Sequence, residues 1–353
     1  MKAWGMKGMA ALCVIMLAAS GCGKSEPATK AAASNAGATP NAAASAPAAQ
    51  PKQLQNVKVV LDWTPNTNHT GLYVAKQLGY YEQEGLNVDI VQPGQSGADT
   101  MVATGEAQFG VGYQEGLTQA RVQDVPLVSI GAIIQHNTSG FASPAAKNIK
   151  SPKDFEGKTY GGWGSPSENA MIESLMQQEH ADASKVKIVN IGEADYFTAV
   201  KKDIDFAWIY YGWTGVEAEL RGEPINMIYL TKYSDKLDYY TPLLETSEKM
   251  IKENPELVKK FMAATSKGYE YAIGKPDKAA DILIKAVPDL DPKLVKASQK
   301  WLSPKYQDDA PRWGEQKQVI FENYANWMYD HKLLDKKLDA SKAFTNDFLP
   351  AKK

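Results

Sequence analysis

Short apolar runs alternate with segments of helical periodicity along most of the chain after residue 53. The apolar runs predict buried strands, and the periodic segments between them predict helices. Strands and helices that alternate at this spacing are typical of a parallel sheet in an α/β protein. The predicted strands are 57–62, 86–91, 108–112, 126–135, 160–163, 186–191 and 205–210, and the predicted helices between them are 71–81, 98–104, 114–123 and 168–179.

The pattern becomes helical from Ser247 onward. Pro255 follows Asn254, which suits the first position of a helix because proline there loses no hydrogen bond. The Gly-Lys-Pro sequence at 274–276 is expected to end that helix. Three more helices are predicted over 277–286, 292–301 and 313–331.

The first residues carry the pattern of a signal peptide. Lys2 and Lys7 precede the apolar run 9–19, which is too short to span a bilayer. Cys22 follows small residues, and this stretch resembles a bacterial lipobox, which implies a lipidated cysteine that anchors the mature protein in the membrane. Ala19 stands where such motifs usually carry leucine, so an ordinary secretory signal remains the alternative.

Residues 22–53 form a low-complexity segment of Ala, Pro, Ser, Thr and Asn. It lacks the large apolar residues that offset the entropy of ordering, so it is expected to be a disordered tether. With residues 1–21 as a lipoprotein signal peptide, the sequence predicts an exported protein, anchored by lipid to the extracytoplasmic or periplasmic face of a bacterial membrane.

Composition narrows the possible chemistry. The formal net charge of -2 gives no support for nucleic-acid binding. Because the only cysteines are Cys13 and Cys22, the part after residue 53 has no disulfide, no thiol nucleophile and no cysteine metal site. The four histidines are far apart along the chain, which argues against a zinc site. We therefore expect no metal and no cofactor.

Three motifs stand out in the chain: LDWTPNTNHTGLYVA at 61–75, GEADYFTA at 192–199 and DFAWIYYGW at 205–213. Together they resemble one family, the thiamine-pyrimidine-precursor-binding proteins of bacterial ABC importers, which is related to the fungal thiamine-pyrimidine synthases. The resemblance covers roughly residues 56–350, and the combination is more specific than any single motif.

The resemblance implies an α/β fold of the type II periplasmic-binding-protein class, with two lobes, a hinge and a central ligand cleft. The first lobe would comprise 54–140 plus 242–353, and the second 141–241. It also implies a solute-binding component that closes around a thiamine pyrimidine precursor, of the formylaminopyrimidine or hydroxymethylpyrimidine type, and then docks on the ABC permease.

Candidate ligand-binding residues follow the predicted strands, where parallel sheets form their crevices. Asp62 ends a strand and Trp63 follows it; the indole is suited to stacking on a flat heteroaromatic ring, with core packing as the alternative. Asn66 offers an amide but also suits a turn after Pro65. His69 would either face the ligand or cap the next helix.

The second lobe supplies a carboxylate and aromatic rings. Glu193 is suited to accept a hydrogen bond from an exocyclic amine of an aminopyrimidine, with helix capping as the alternative. Either Tyr210 or Tyr211 would provide the opposite stacking face, whereas Trp208 is expected in the core. Tyr113 and Glu115, which follow a strand of the first lobe, form a further candidate pair.

The arginine content bears on the ligand's charge. Arg121, Arg221 and Arg312 are the only arginines, and none lies in the three motifs. A strongly anionic ligand would usually need arginine, so a neutral or cationic heteroaromatic ligand is favoured, with riboflavin or thiamine as alternatives to a pyrimidine precursor.

We expect a binding protein and not an enzyme. The related fungal synthases carry a cysteine-rich motif for iron, and such cysteines are missing here; no Gly-x-Ser-x-Gly motif of a hydrolase is present either. A pyrimidine-synthesising enzyme remains the other alternative.

Overall fold

The computed structural model describes residues 53–94, 96–192 and 194–352. The predicted signal peptide, the lipidation site Cys22 and the predicted tether up to residue 52 lie outside these residues, and so does Glu193. Within the described ranges, no helix combines the length and the apolar character that crossing a membrane requires.

Strands and helices alternate through the first two thirds of the described chain, and helices dominate the last third. In chain order, the strands are β1 (Gln55–Val60), β2 (Leu86–Val91), β3 (Phe109–Gly112), β4 (Leu127–Ala132), β5 (Ser139–Pro144), β6 (Thr159–Gly162), β7 (Lys187–Asn190), β8 (Phe206–Tyr210), β9 (Ile225–Tyr229) and β10 (Leu243–Ser247). The α-helices are α1 (Thr70–Gln77), α2 (Tyr80–Gln83), α3 (Gly97–Thr104), α4 (Gln114–Val122), α5 (Pro166–Gln178), α6 (Tyr196–Val200), α7 (Val216–Arg221), α8 (Glu248–Glu253), α9 (Pro255–Gly274), α10 (Pro276–Ala286), α11 (Pro292–Leu302) and α12 (Gln318–Asp330).

The strands form two separate sheets. The first sheet has the order β2-β1-β3-β10-β4, with β1 parallel to β2 and β3, and β10 antiparallel to β3 and β4. The second sheet has the order β7-β6-β8-β5-β9, with β6 parallel to β7 and β8, and β5 antiparallel to β8 and β9. Each sheet is therefore mostly parallel, with one antiparallel strand next to its edge.

The two chain connections bring the same edge of each sheet together. The chain leaves the carboxyl end of β4 to enter β5, and it returns from the carboxyl end of β9 to enter β10. Because β5 and β10 are the antiparallel strands, their starts lie beside the carboxyl ends of the parallel strands. The carboxyl edges of the two sheets therefore face each other, and such edges are where α/β proteins bind ligands.

Each sheet is covered by its own apolar core. On the first sheet, the ring of Phe109 from β3 stacks on Phe261 from α9 at 3.9 Å. Helices α1 and α9 approach closely, since a Cβ at Gly268 would lie only 2.0 Å from the carbonyl oxygen of Gly71. On the second sheet, Phe155 stacks on Phe206 from β8 at 4.1 Å.

Helix α12 packs against both cores. Near its start, Phe321 lies in a buried cluster with residues around the first sheet, including Tyr240. One turn later, Tyr324 and Trp327 pack in the core of the second sheet, where the Trp327 indole donates a hydrogen bond to Ser174 at 3.2 Å. The chain then returns to the first sheet, where residues 343–345 hydrogen-bond with the backbone of β4.

The parallel strands agree with the prediction from sequence, whereas three other strands were missed. The run 86–91 is β2 without change, and α9 begins at Pro255 as expected. Strands β5, β9 and β10 were missed because they are antiparallel or at an edge and contain small or polar residues. The predicted start of the last helix was also wrong, since Gly314 has a φ of 87° and α12 begins later.

Candidate ligand-binding cleft

Polar and aromatic side chains from both sheets converge where the carboxyl edges meet, in a region that we call the cleft. Parallel strand ends, and helix starts directly after them, supply most of these side chains. The cleft residues from the first sheet are Asp62, Trp63, Tyr113 and Glu115, and those from the second are Trp163, Ser167 and Tyr210.

A buried carboxylate–imidazole pair lies at the end of β1. His69 Nε2 lies 2.6 Å from Asp62 Oδ1, and the two side chains are 0% and 4% exposed. The backbone N–H of Asn66 donates to His69 Nδ1 at 3.1 Å. Because Nδ1 accepts that bond, the ring donates to Asp62 through the N–H at Nε2. Both ring nitrogens are thus engaged, and His69 orients Asp62.

Asn66 caps the turn that precedes α1. Its Oδ1 accepts from the backbone N–H of Asn68 at 2.8 Å, and its Nδ2 donates to the carbonyl of Thr64 at 3.1 Å. Together with the bond to His69, this forms a capping box around residues 67–69. The amide of Asn66 is therefore used to shape the loop that carries Trp63.

Asp62 is held in its ionised form. Burial acts to raise the pKa of its carboxyl, but the His69 imidazole and a hydrogen bond from the Tyr113 hydroxyl outweigh this and lower that pKa. Burial, and then the charge of Asp62, raise the pKa of Tyr113 well above its usual value, so the phenol stays protonated. A carboxylate has lone pairs for about four hydrogen bonds. Asp62 therefore retains acceptor capacity for a ligand N–H.

The neighbouring tyrosines Tyr210 and Tyr211 lie in different surroundings. Burial raises the pKa of Tyr210 to about 12, and its hydroxyl lies 3.3 Å from that of Thr241, near Asp62 and Glu115. Tyr211 instead directs its hydroxyl to Glu219 and packs its ring 5.3 Å from Trp301. Tyr210 is thus placed with the cleft residues, whereas Tyr211 is not.

Glu115 joins the two sides of the cleft. Ser167 Oγ, at the start of α5, donates to Glu115 Oε1 at 2.7 Å, and the Tyr324 hydroxyl donates to Oε2 at 3.4 Å. The Tyr324 ring in turn stacks on Tyr239 at 3.9 Å. Burial raises the pKa of Glu115, while the bonds from Ser167 and Tyr324 partly oppose that rise. The carboxyl of Glu115 therefore ties α4 to both α5 and α12.

Backbone amides at the start of α5 are already occupied by a carboxylate. Glu168, which is 1% exposed, accepts from the backbone N–H groups of Trp163, Gly164 and Ser165 at 3.1, 2.7 and 2.8 Å. Helix starts of this kind often bind the phosphate of a ligand. Here an internal side chain takes that place.

Two tryptophans at the cleft remain exposed to solvent. Trp63 after β1 is 44% exposed, and Trp163 after β6 is 45% exposed. Trp163 contacts Trp208 with ring centroids 5.3 Å apart.

Reasoning from sequence missed Trp163, Ser167, Glu168 and Tyr324 as members of the cleft. The Ser165-x-x-Glu168 spacing directly after a predicted strand was the signal that could have indicated the first three. Among the described residues, no group of three or more His, Cys, Asp or Glu side chains is arranged to hold a metal ion.

A family model described as NMT1/THI5 like matches residues 66–279, more than half of the chain. The chain belongs to the NMT1/THI5-like family. The matched range includes Tyr113, Glu115, Ser167 and Tyr210 of the cleft, and it begins just after Trp63. The family resemblance that the three motifs indicate is thus confirmed.

Several curated relatives span nearly the whole chain. The formylaminopyrimidine-binding protein of Halalkalibacterium halodurans is 27% identical over 85% of this chain and 92% of its own length. The 4-amino-5-hydroxymethyl-2-methylpyrimidine phosphate synthase of Legionella pneumophila is 27% identical over 83% and 92%. The riboflavin-binding protein RibY of Chloroflexus aurantiacus is 26% identical over 96% of both chains.

Solved structures of similar shape include periplasmic binding proteins. The periplasmic aliphatic sulphonate binding protein SsuA of Escherichia coli aligns with a TM-score of 0.65 at 14% identity, over 85% of this chain and 94% of its own. At this identity the likeness concerns the fold alone. The protein therefore has the two-lobed α/β fold of the type II periplasmic-binding-protein class, with a hinge and a central ligand cleft, as the family resemblance implies.

Proposed function

We propose that this protein is the solute-binding component of an ABC importer, and that it captures a thiamine pyrimidine precursor of the formylaminopyrimidine or hydroxymethylpyrimidine type. The observation that carries the proposal is the cleft itself. Ionised Asp62 and the exposed ring of Trp63 lie on one side, Tyr210 lies on the other, and the 2.7 Å bond between Ser167 and Glu115 joins the two sides beside them.

Hinge closure is the proposed mechanism of capture. The bond from Ser167 to Glu115 exists only when the two sides of the cleft meet. A ligand that touches Asp62 and Trp63 on one side and Tyr210 on the other gains all its contacts only in that arrangement. Ligand binding therefore shifts the population towards the closed form, which then docks on the permease.

Recognition of an aminopyrimidine requires a flat apolar surface and a hydrogen-bond acceptor for the exocyclic amine. The exposed indole of Trp63 supplies the surface, and stacking of this kind contributes roughly 0.5–1.5 kcal/mol beyond the burial of area. Ionised Asp62 supplies an acceptor beside it. Glu193, outside the described residues, remains our candidate for a second acceptor.

The charges around the cleft favour an unphosphorylated ligand. Every arginine of the chain is paired with a glutamate: Arg121 with Glu248, Arg221 with Glu217 and Arg312 with Glu315. The amides at the start of α5 are occupied by Glu168. A phosphate group would thus meet carboxylates in the cleft, while the three arginines and the amides before α5 already have carboxylate partners.

Riboflavin is the second candidate ligand, because the relative named for riboflavin binding aligns over 96% of this chain. Its isoalloxazine ring is also flat and rich in hydrogen-bonding atoms. Thiamine is a further alternative that presents the same aminopyrimidine ring.

Synthesis of a pyrimidine is the alternative of a different class, since the Legionella pneumophila relative is named as a synthase. We propose binding without catalysis, because the chain after Cys22 contains no cysteine with which to build the iron motif that the resemblance associates with the fungal enzymes.

The proposal includes the location of the protein. Residues 1–21 would direct export, Cys22 would carry the lipid, and residues 22–53 would tether the folded part to the membrane. We further propose that the first lobe is 54–140 plus 242–353 and that the second is 141–241. Mass spectrometry of the protein purified from membranes tests the anchor, because lipidation at Cys22 adds acyl mass to a peptide that begins at that residue.

Isothermal titration calorimetry of the folded part tests the ligand. The titrants are a formylated aminopyrimidine, hydroxymethylpyrimidine and its phosphate ester, riboflavin, thiamine and an aliphatic sulfonate. We expect an unphosphorylated pyrimidine to bind most tightly and the phosphate ester at least tenfold more weakly. If riboflavin bound most tightly, the protein would serve flavin import and not pyrimidine import. If any titrant were chemically converted, a purely binding role would be contradicted.

A further inference from the structure

Two buried polar groups on neighbouring strands of the second sheet have no hydrogen-bond partner. They are Ser139 Oγ at the start of β5 and Trp208 Nε1 in β8. Ser139 is 0% exposed and Trp208 is 8% exposed. A buried donor without a partner is costly, and native proteins rarely keep one without a reason.

The strand register places both groups on one face of the sheet beside Tyr210. In the antiparallel pair, Ser139 lies opposite Tyr210, and Phe141 lies opposite Trp208. Directly opposed residues share a face, and so do residues two apart along a strand. Ser139, Trp208 and Tyr210 therefore share one face, with Ser139 and Tyr210 at the end that borders the cleft.

Trp163 connects Trp208 with solvent. Its ring lies 5.3 Å from that of Trp208, and its exposure of 45% shows that only part of it is covered. Trp163 is thus a partly exposed neighbour of the buried Trp208 ring, on the side where the strands end.

The two groups define the chemistry of their partner. An indole N–H is a donor only, and a hydroxyl is both a donor and an acceptor. The carbonyl oxygen has two lone pairs and is able to accept from both groups. The Tyr210 hydroxyl already has a hydrogen-bond partner in the Thr241 hydroxyl at 3.3 Å. The groups that still lack a hydrogen-bond partner are therefore Ser139 Oγ and Trp208 Nε1.

We propose that Trp208 and Ser139 form a hydrogen-bonding subsite that holds a carbonyl oxygen of the bound heteroaromatic ligand, with Trp163 as its cover. The inference rests on the proposed function and deepens it, because it selects a ligand that bears a carbonyl substituent, such as a formylated aminopyrimidine, over the same ring without that group.

The substitution Trp208→Phe tests the donor. Phenylalanine keeps an aromatic ring in the core but has no N–H group to donate a hydrogen bond. The matched control is Trp327→Phe, in the same core, where the indole N–H is already bonded to Ser174 at 3.2 Å. Calorimetry measures the affinity of each protein for the formylated aminopyrimidine and for the same pyrimidine without the formyl group.

We expect Trp208→Phe to weaken binding of the formylated ligand by roughly tenfold and to change binding of the deformylated ligand less than twofold. Trp327→Phe is expected to leave both affinities within twofold of the wild type. An equal loss for both ligands would show a packing role only and would overturn the subsite, as would an unchanged affinity for the formylated ligand.

Ser139→Ala gives a second test that does not alter an aromatic ring. The hydroxyl has no partner in the structure, so its loss should leave the free energy of unfolding within error and lower the affinity for the formylated ligand about threefold or more. If the wild type binds neither pyrimidine, the proposed function fails. If the wild type binds the formylated ligand and both variants bind it equally well, only the subsite fails.

Discussion

The hydroxyl of Ser167 donates a hydrogen bond to the carboxylate of Glu115 at 2.7 Å, and this bond joins helices that follow strands of different sheets. It is a direct side-chain link between the two sides of the cleft. Its strength therefore contributes to the equilibrium between open and closed forms, independently of any ligand contact.

Ser167→Ala should shift that equilibrium towards the open form. Loss of one hydrogen bond to a carboxyl group is expected to weaken ligand binding by roughly threefold to tenfold, because closure then costs more free energy. Calorimetry measures the affinity, and small-angle scattering of the ligand-free protein should show a larger radius of gyration. Ser184→Ala removes a hydroxyl that bonds locally to Asp182 and should change neither quantity. A ligand-free Ser167→Ala protein as closed as the wild type would contradict this role.

Trp63→Ala should weaken binding of an aminopyrimidine by roughly tenfold or more, because stacking and burial on the indole are both lost. Since the side chain is 44% exposed, the free energy of unfolding should change by less than about 0.5 kcal/mol. Calorimetry and urea denaturation measure the two effects. Tyr329→Ala, at another exposed ring, is the control. An unchanged affinity would remove Trp63 from the site.

Glu245→Gln should stabilise the protein above neutral pH. Both Glu245 Oε2 and Asp99 Oδ1 lie near Gly112, at 2.9 and 3.3 Å from the place a Cβ would occupy, so two carboxyls converge there. Burial, and then the charge of Asp99, raise the pKa of Glu245 well above 4.5. The folded state therefore binds the proton more tightly than the unfolded state, and the free energy of unfolding falls as pH rises above about 4.5.

Glutamine stays neutral and is able to donate a hydrogen bond to Asp99. The free energy of unfolding of the variant should therefore be about 1 kcal/mol higher than that of the wild type at pH 8, and it should depend less on pH. Urea denaturation between pH 5 and pH 9 measures both. Glu253→Gln, at an exposed position of α8, should keep the wild-type profile. A Glu245→Gln profile as steep as that of the wild type would show that this carboxyl does not remain protonated in the fold.

His136 links the two chain connections between the sheets. Its Nδ1 lies 2.6 Å from Asp238 Oδ2, and its Nε2 lies 3.2 Å from Asp309 Oδ1. The hydrogen bond with Asp238 is the main cause that raises the pKa of His136 to about 9. The charge of Asp238 and the hydrogen bond and charge of Asp309 add to this rise, whereas burial opposes it. Its stabilising contribution is complete below about pH 6.5 and is lost as pH rises through 9.

His136→Ala should therefore lower the free energy of unfolding at pH 6 and have little effect at pH 10. The loss at pH 6 is expected to be roughly 1 kcal/mol, because the side chain is 38% exposed and solvent screens the pairs. His180→Asn, at an exposed position with a φ of 54°, serves as the control. If His136→Ala lowered the free energy of unfolding equally at both pH values, the side chain would stabilise the protein by packing and not by its charge.

The sequence predicts the parallel part of the fold well and the antiparallel part poorly. The run 86–91 alternates apolar and polar side chains and matches β2. Strand β10 was missed because its central residue, Glu245, is a buried carboxyl, and its last residue, Ser247, caps α8. A buried acid contradicts the usual pattern of a strand interior, and nothing in the sequence indicates that Glu245 lies beside Asp99.

The positions of the candidate residues were predictable where a side chain follows a strand, and unpredictable where a side chain contacts a partner far along the chain. Asp62 was predicted to end a strand and Trp63 to follow it, and both lie just after β1. That His69 orients Asp62 follows from a capping box whose geometry the residue types alone do not give. Likewise, nothing in the sequence indicates that Ser167 would reach Glu115 from the other sheet.

Helix α12 is attached to the first sheet's surroundings through Phe321 and to the core of the second sheet through Trp327, and the chain after it returns to β4. Helix α12 thus bridges the two cores by side-chain packing, in addition to the two chain connections between the sheets. A body held in this way is able to turn about the helix but is hindered from sliding or twisting freely. We therefore expect opening of the cleft to be a rotation of one sheet relative to the other about α12.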